Sequence, residues 1–249
     1  MTNCIEEIEC LSIQNNSLCK FHVQDSPKFY LLDFKYQLNT INIDLMSVSI
    51  KEAENASSEF LQMFQDKINK NTVIYTDGSR AGSEAGWSVG MANWCCNDFF
   101  KARFKLFDIT SIYSAQAIAL LMTIKRISSS VLNDLLIFSG SKSVLSSLLN
   151  MKKLKHQSYL IQEINQLLFE CKEKNKNIEL AWIPAHNIEG NDNADELAKK
   201  PAVEGPLLEV EVLHSDLVCI FRDKCIKDND KFLNHRASSF NKGTFYFKN

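Results

Sequence analysis

The hydrophobic and polar positions of this chain fall into short stretches of two distinct periods. Residues 49–68, SIKEAENASSEFLQMFQDKI, place Phe60, Met63, Phe64 and Ile68 at helical spacing and predict an amphipathic helix. TVIYTDGS (72–79) is an apolar run closed by glycine, and predicts a buried strand ending in a turn. GWSVGMANW (86–94) and DFFKARFKL (98–106) predict two further strands joined as a hairpin. Residues 110–130 predict a helix capped by Thr110 or Ser111, with Ala115, Ile118, Ala119, Met122 and Ile127 on its apolar side. DLLIFSGS (134–141) reads as a buried strand, 142–151 as a short helix and 156–176 as a longer one. IELAWIP (178–184) is a further strand, and NDNADELAKK (191–200) a helix that Asn191 would cap. YLLDF (30–34) fits one more short strand. The order β-β-β-α-β-α-α-β-α predicts an α/β fold, a mixed five-stranded sheet with helices on both faces. In such sheets functional side chains gather beyond the carboxyl ends of the parallel strands, where Asp77 and Gly140 are expected.

Composition changes this picture little. The 249 residues are 45% hydrophobic and 23% charged, a globular balance. The net charge of −2 gives no global basic field. Residues 71–202 are the least acidic part, with 15 Lys and Arg against 13 Asp and Glu. The eight cysteines form no C-x-x-C and have no histidine at zinc-finger spacing, which predicts reduced thiols in a cytoplasmic or nuclear protein. No stretch approaches the roughly 18 apolar residues of a membrane span. MTNCIEEIEC carries acids where a signal peptide needs positive charge.

Four stretches carry something more specific: IYTDGSRAGSEAGWSVG, SIYSAQAIAL, LLIFSGSKSVLSSL and IELAWIPAHNIEGNDNADELAKK. In this order and spacing they resemble the ribonuclease H domain of non-LTR retrotransposons over residues 71–202. Residues 1–70 are then expected to be an extension like the segment preceding that domain in retroelements, and 203–249 a C-terminal tail. Seventy residues are too few to hold a reverse transcriptase, so the chain is expected to be a separate, retroelement-derived product.

The resemblance implies a ribonuclease H-like fold and a nucleic-acid partner, RNA–DNA hybrid or duplex, with no membrane. It also implies Mg²⁺ chemistry, in which two divalent ions about 4 Å apart bracket the scissile phosphate. Four acids hold those ions in the family. The first-strand Asp falls on Asp77 and the last-helix Asp on Asp195, which are the expected metal ligands and catalytic acids. The helix Glu falls on Gln116, and the Asp of F-S-D-S falls on Gly140, so those two positions are degenerate. The loop His that assists product or metal release falls on His186. With −2 in place of −4, metal binding is expected to be weak or absent. Glu196 is turned about 100° from Asp195 and is no substitute, whereas Asp192, one turn earlier, shares its general face.

The expectation is therefore a catalytically degenerate domain that still binds nucleic acid. The alternatives are an active Mg²⁺-dependent hybrid ribonuclease and a non-catalytic scaffold or decayed fragment. Gly78 and Ser79, beside Asp77, and Lys152 and Lys153 of the basic MKKLKH run are the candidate nucleic-acid contacts. Plainer readings stand beside these. Asp77 fits a turn, Asp195 an acid favoured by a helix N-terminus, and His186 and the lysines a solvated surface. Trp87, Trp94 and Trp182 fit the core. Ile112 and Tyr113 occupy the places where cellular members of the family read sugar hydroxyls.

Overall fold

The computed structural model describes residues 41–45, 56–83, 86–95, 101–150, 158–184, 188–200 and 205–240. Residues 24–211 form one compact unit. Its described elements are β1 (Asn42–Asp44), α1 (Ala56–Lys70), β2 (Thr72–Ser83), β3 (Gly86–Cys95), β4 (Lys101–Leu106), α2 (Ile112–Ser128), β5 (Asp134–Ser139), α3 (Lys142–Leu149), α4 (Tyr159–Glu173), β6 (Asn177–Trp182) and α5 (Glu189–Lys199). In the other unit the described element is a helix, α6 (His214–Phe240). The YLLDF stretch, Lys152, Lys153 and His186 lie outside the described residues.

The sheet is mixed, in the order β1-β6-β5-β2-β3-β4. It has six strands rather than the expected five. Asn42–Asp44 adds a short parallel edge to β6, pairing Ile43 with Leu180. Three residues carry too little periodicity to be read from sequence. What fixes them is tertiary: Lys67 of α1 pairs with both Glu179 of β6 and, at 3.7 Å, Asp44 of β1.

The parallel centre follows from β5, whose run Leu135–Ser139 is buried throughout and is flanked by β2 and β6. One face of the sheet carries Val73, Tyr75, Leu136 and Phe138, covered by α1 and α5. Phe60 and Phe64 each meet the Phe138 ring at 5.1 Å, and Tyr75 stacks on it at 5.2 Å. Burial of each such ring contributes about 1.5–3 kcal/mol. Met63, expected on this apolar side, is 40% exposed, because Phe60 and Phe64 already fill the space above β5. Trp94 packs against the same cluster, whereas the Trp87 side chain is not described.

The opposite face is covered by α2, which starts after Ser111, whose hydroxyl accepts from Ser114 N at 3.1 Å. The expected one-sided stripe on this helix understates its burial. Ala117, Leu120, Leu121 and Ile124 are buried too, because α4 packs on its outer side. Cys95 and Cys171 are buried free thiols, and Cys219 and Cys225 are exposed ones. No described helix is long and apolar enough to cross a membrane.

Two local expectations are corrected by packing. Asn191 does not cap α5, which begins at Glu189 with Ile188 at its N-cap; Asn191 is buried inside the helix. The two residues gained place Gly190 against Tyr75, so close that a Cβ there would lie 2.2 Å from the ring. Gly78 is not a turn either. The strand β2 runs on to Ser83, pairing antiparallel with β3 through Ser83↔Gly86.

Candidate functional site

Asp77 stands in the middle of a twelve-residue strand, not at its end. It is nevertheless accessible from the carboxyl side of the parallel sheet. The parallel pairing of β2 with β5 stops at Thr76↔Ser139, after which β5 turns into α3 while β2 continues with β3 alone. A notch opens at that step. Asp77 and Gly140, each one residue past the last parallel pair, border it.

Gly78 sets the third member. A Cβ on it would lie 2.6 Å from both the Ala115 carbonyl carbon and the Gln116 nitrogen, so α2 crosses directly on the strand. That contact delivers Gln116, whose side chain hydrogen-bonds the Asp77 carboxylate. Gly78→Ala is expected to push α2 off the strand and cost about 1–3 kcal/mol. At about 2–4 °C per kcal/mol, a fall of several degrees in the melting temperature is the readout.

From the other face, α5 lies across β2 and β3 and brings in Asp195. Its carboxyl is hydrogen-bonded to that of Asp77. Burial first, and then the charge of Asp195, raise the Asp77 carboxyl from its ordinary 3.8 to about 7, although the Gly78 N–H and Gln116 pull the other way. Lys199, one turn after Asp195, pairs with it at 2.5 Å. That pairing, with Asp77 and Asp192 adding to it, holds the Lys199 ammonium more firmly protonated than usual. Glu196 faces solvent and pairs with Lys200 at 2.7 Å, as its helical position predicts.

On the β5 side, Gly140 borders open space: a Cβ there would meet nothing within 4 Å. The indole N–H of Trp182 donates to its carbonyl oxygen at 3.1 Å. The Lys142 ammonium lies over the Trp182 ring, 5.4 Å from its centroid. Of the other sequence candidates, Gly78 is buried under α2 and Ser79 is 8% exposed, so they offer a ligand little surface. Ile112 is exposed in the first turn of α2, and the Tyr113 hydroxyl donates to Ser147 at 3.2 Å.

A family model described as RNase H matches residues 69–203, more than half of the chain. The chain belongs to the RNase H family. No curated protein matches it. Among solved structures it is similar to a foamy viral protease-reverse transcriptase in complex with RNA/DNA hybrid, at 21% identity and a TM-score of 0.42 over 53% of this chain. That match spans only 20% of the viral chain. A foamy viral protease-reverse transcriptase with dsDNA matches at 20% identity and 0.44, covering 53% of this chain and 93% of that one. LC11-RNase H1 with RNA/DNA hybrid matches at 18% and 0.41, covering 54% and 98%.

The donor set at this RNase H notch does not suit two divalent ions. Two dications need several carboxylates, and the notch supplies Asp77 and Asp195, the latter already engaged by Lys199. Gln116 adds a neutral amide, and Gly140 no side chain. The four positions named from sequence, Asp77, Gln116, Gly140 and Asp195, come together in the structure. Sequence reasoning missed Lys199 and Lys142. The first was signalled by its i,i+4 spacing from Asp195; the second depends on Trp182, which is remote in sequence.

Proposed function

We propose that this RNase H-family protein binds nucleic acid, RNA–DNA hybrid or duplex, without cleaving it. One observation carries the reading: the two positions that would complete the acid set are an amide and a glycine, beside a carboxylate pair occupied by Lys199. The retained fold, with Gly78 and Gly190 each kept where a side chain would collide, supports a domain still built to hold this notch in shape. A retroelement origin is part of the same reading.

An active enzyme is the second reading, and it would rest on Asp192, which stands near enough to act on the Lys199 charge. Purified protein incubated with labelled hybrid in Mg²⁺ or Mn²⁺ is expected to yield no product above the protein-free control. It should still bind that hybrid, with an affinity that falls steeply with salt, a slope of about −0.7 to −0.9 for each phosphate contacted. Cleavage abolished by Asp77→Asn would establish the second reading. A flat binding titration at low salt would leave a scaffold role.

A further inference from the structure

The cations at the notch carry the nucleic-acid reading one step further. A pocket with four carboxylates repels a phosphodiester until metal ions neutralise it. Here Asp77 and Asp195 stand with Lys199, on which Asp192 also acts, and Lys142 is tied to the neighbouring Gly140 through Trp182. Lys142, anchored on an aromatic ring, is the cation there that can meet an anion without a bridging metal.

The two lysines are not equivalent. Lys199 is committed to Asp195 at 2.5 Å. Lys142 is an exposed side chain at the first position of α3, and its anchor is an aromatic face rather than a carboxylate. Contact with a ring leaves the ammonium N–H donors available to an anion, while a carboxylate would occupy them. The ring is itself fixed, because the Trp182 N–H holds the Gly140 carbonyl at 3.1 Å. That bond keeps Lys142 beside Gly140, where space is open within 4 Å of the missing side chain. The vacant volume and the available cation are therefore adjacent.

We propose that this notch grips a phosphodiester of a nucleic-acid backbone directly and without a divalent metal, with Lys142, steadied on Trp182, as the anchoring cation beside Gly140. The inference rests on the nucleic-acid reading above and adds to it the binding group and the metal independence. The loss of the acid at position 140 then has a consequence beyond lost catalysis, since an aspartate there would stand against the same phosphate.

The test is a fluorescence-anisotropy titration of the full chain with a short labelled RNA–DNA hybrid, in Mg²⁺ and in chelator at matched ionic strength. Equal affinity is expected in both. Lys142→Ala should weaken binding several-fold and reduce the salt slope by about one phosphate contact, with Lys142→Arg retaining both. Lys174→Ala, which removes another exposed lysine, should bind as the parent does. The indole N–H resonance of Trp182 should shift on adding hybrid to the parent protein and not to Lys142→Ala. Binding that disappears in chelator, or that is unchanged in affinity and slope by Lys142→Ala, would overturn the proposal while leaving nucleic-acid binding intact. Failure of the parent to bind hybrid in either buffer would overturn both.

Discussion

Restoring both acids in one variant, Gln116→Glu with Gly140→Asp, is expected to create a divalent-metal site in this protein. The structure accommodates the change. Gln116 already touches the Asp77 carboxylate, and glutamate has the same shape. Position 140 opens onto empty space, so an aspartate side chain meets no neighbour at its Cβ. The carboxylate count rises from two to four around one notch. Two unit charges about 4 Å apart exchange about 4 kcal/mol at an effective dielectric of about 20. Even a fraction of that gives at least about tenfold in Mn²⁺ or Mg²⁺ affinity for each restored acid. Each single variant should respond less than the pair, because bridging ions share their ligands. Calorimetric titration with Mn²⁺ and Mg²⁺ measures the effect, and a metal-dependent rise in melting temperature checks it independently. A double variant as indifferent to both ions as its parent would show that charge is not what the notch lacks.

The second large effect is on stability. Asp77→Asn is expected to stabilise the protein above neutral pH. Burial and the neighbouring Asp195 raise the Asp77 carboxyl to about 7 in the folded chain, against 3.8 when unperturbed. Between these values the folded state holds a proton that the unfolded state has lost. Stability therefore falls as pH rises from about 4 to about 7, and the penalty is complete above that. About three units at about 1.4 kcal/mol each set a ceiling on the order of 4 kcal/mol. Asparagine carries no charge there, and its amide can donate to Asp195 while its oxygen accepts from Gln116. The variant should melt several degrees above the parent at pH 8, and the gap should close towards pH 4. Equal melting temperatures at pH 8 would mean that the Asp77 charge is well solvated or otherwise matched.

Much of the fold was readable because its signals are local. The apolar run of β5, the cap at Ser111 and the helical spacing of Phe60 and Phe64 each declare an element within a few residues. The errors have one physical origin, which is that neighbours distant in sequence decide where a local pattern stops. Gly78 looked like a turn because glycine after aspartate usually makes one. It is an approach point for α2, and β2 continues beneath that helix. Asn191 looked like a cap because of its side chain, yet Gly190 had to lie inside the helix to pass Tyr75. The strand β1 was illegible because three residues become a strand only when β6 offers an edge and Lys67 an anchor.

By itself the sequence determined the family of this protein and the identities of the residues that meet at the notch. Residue identities at Asp77, Gln116, Gly140 and Asp195 are written directly in the chain, and no folding is needed to count carboxylates. Tertiary structure alone decided what surrounds the two that remain. That Asp77 is half-buried in mid-strand and hydrogen-bonded to Asp195, that Lys199 occupies that partner, and that Lys142 rests on Trp182 beside an open glycine depend on packing between separate elements. Charge is a property of a residue, but its energy is set by distance and burial, which only the folded chain supplies.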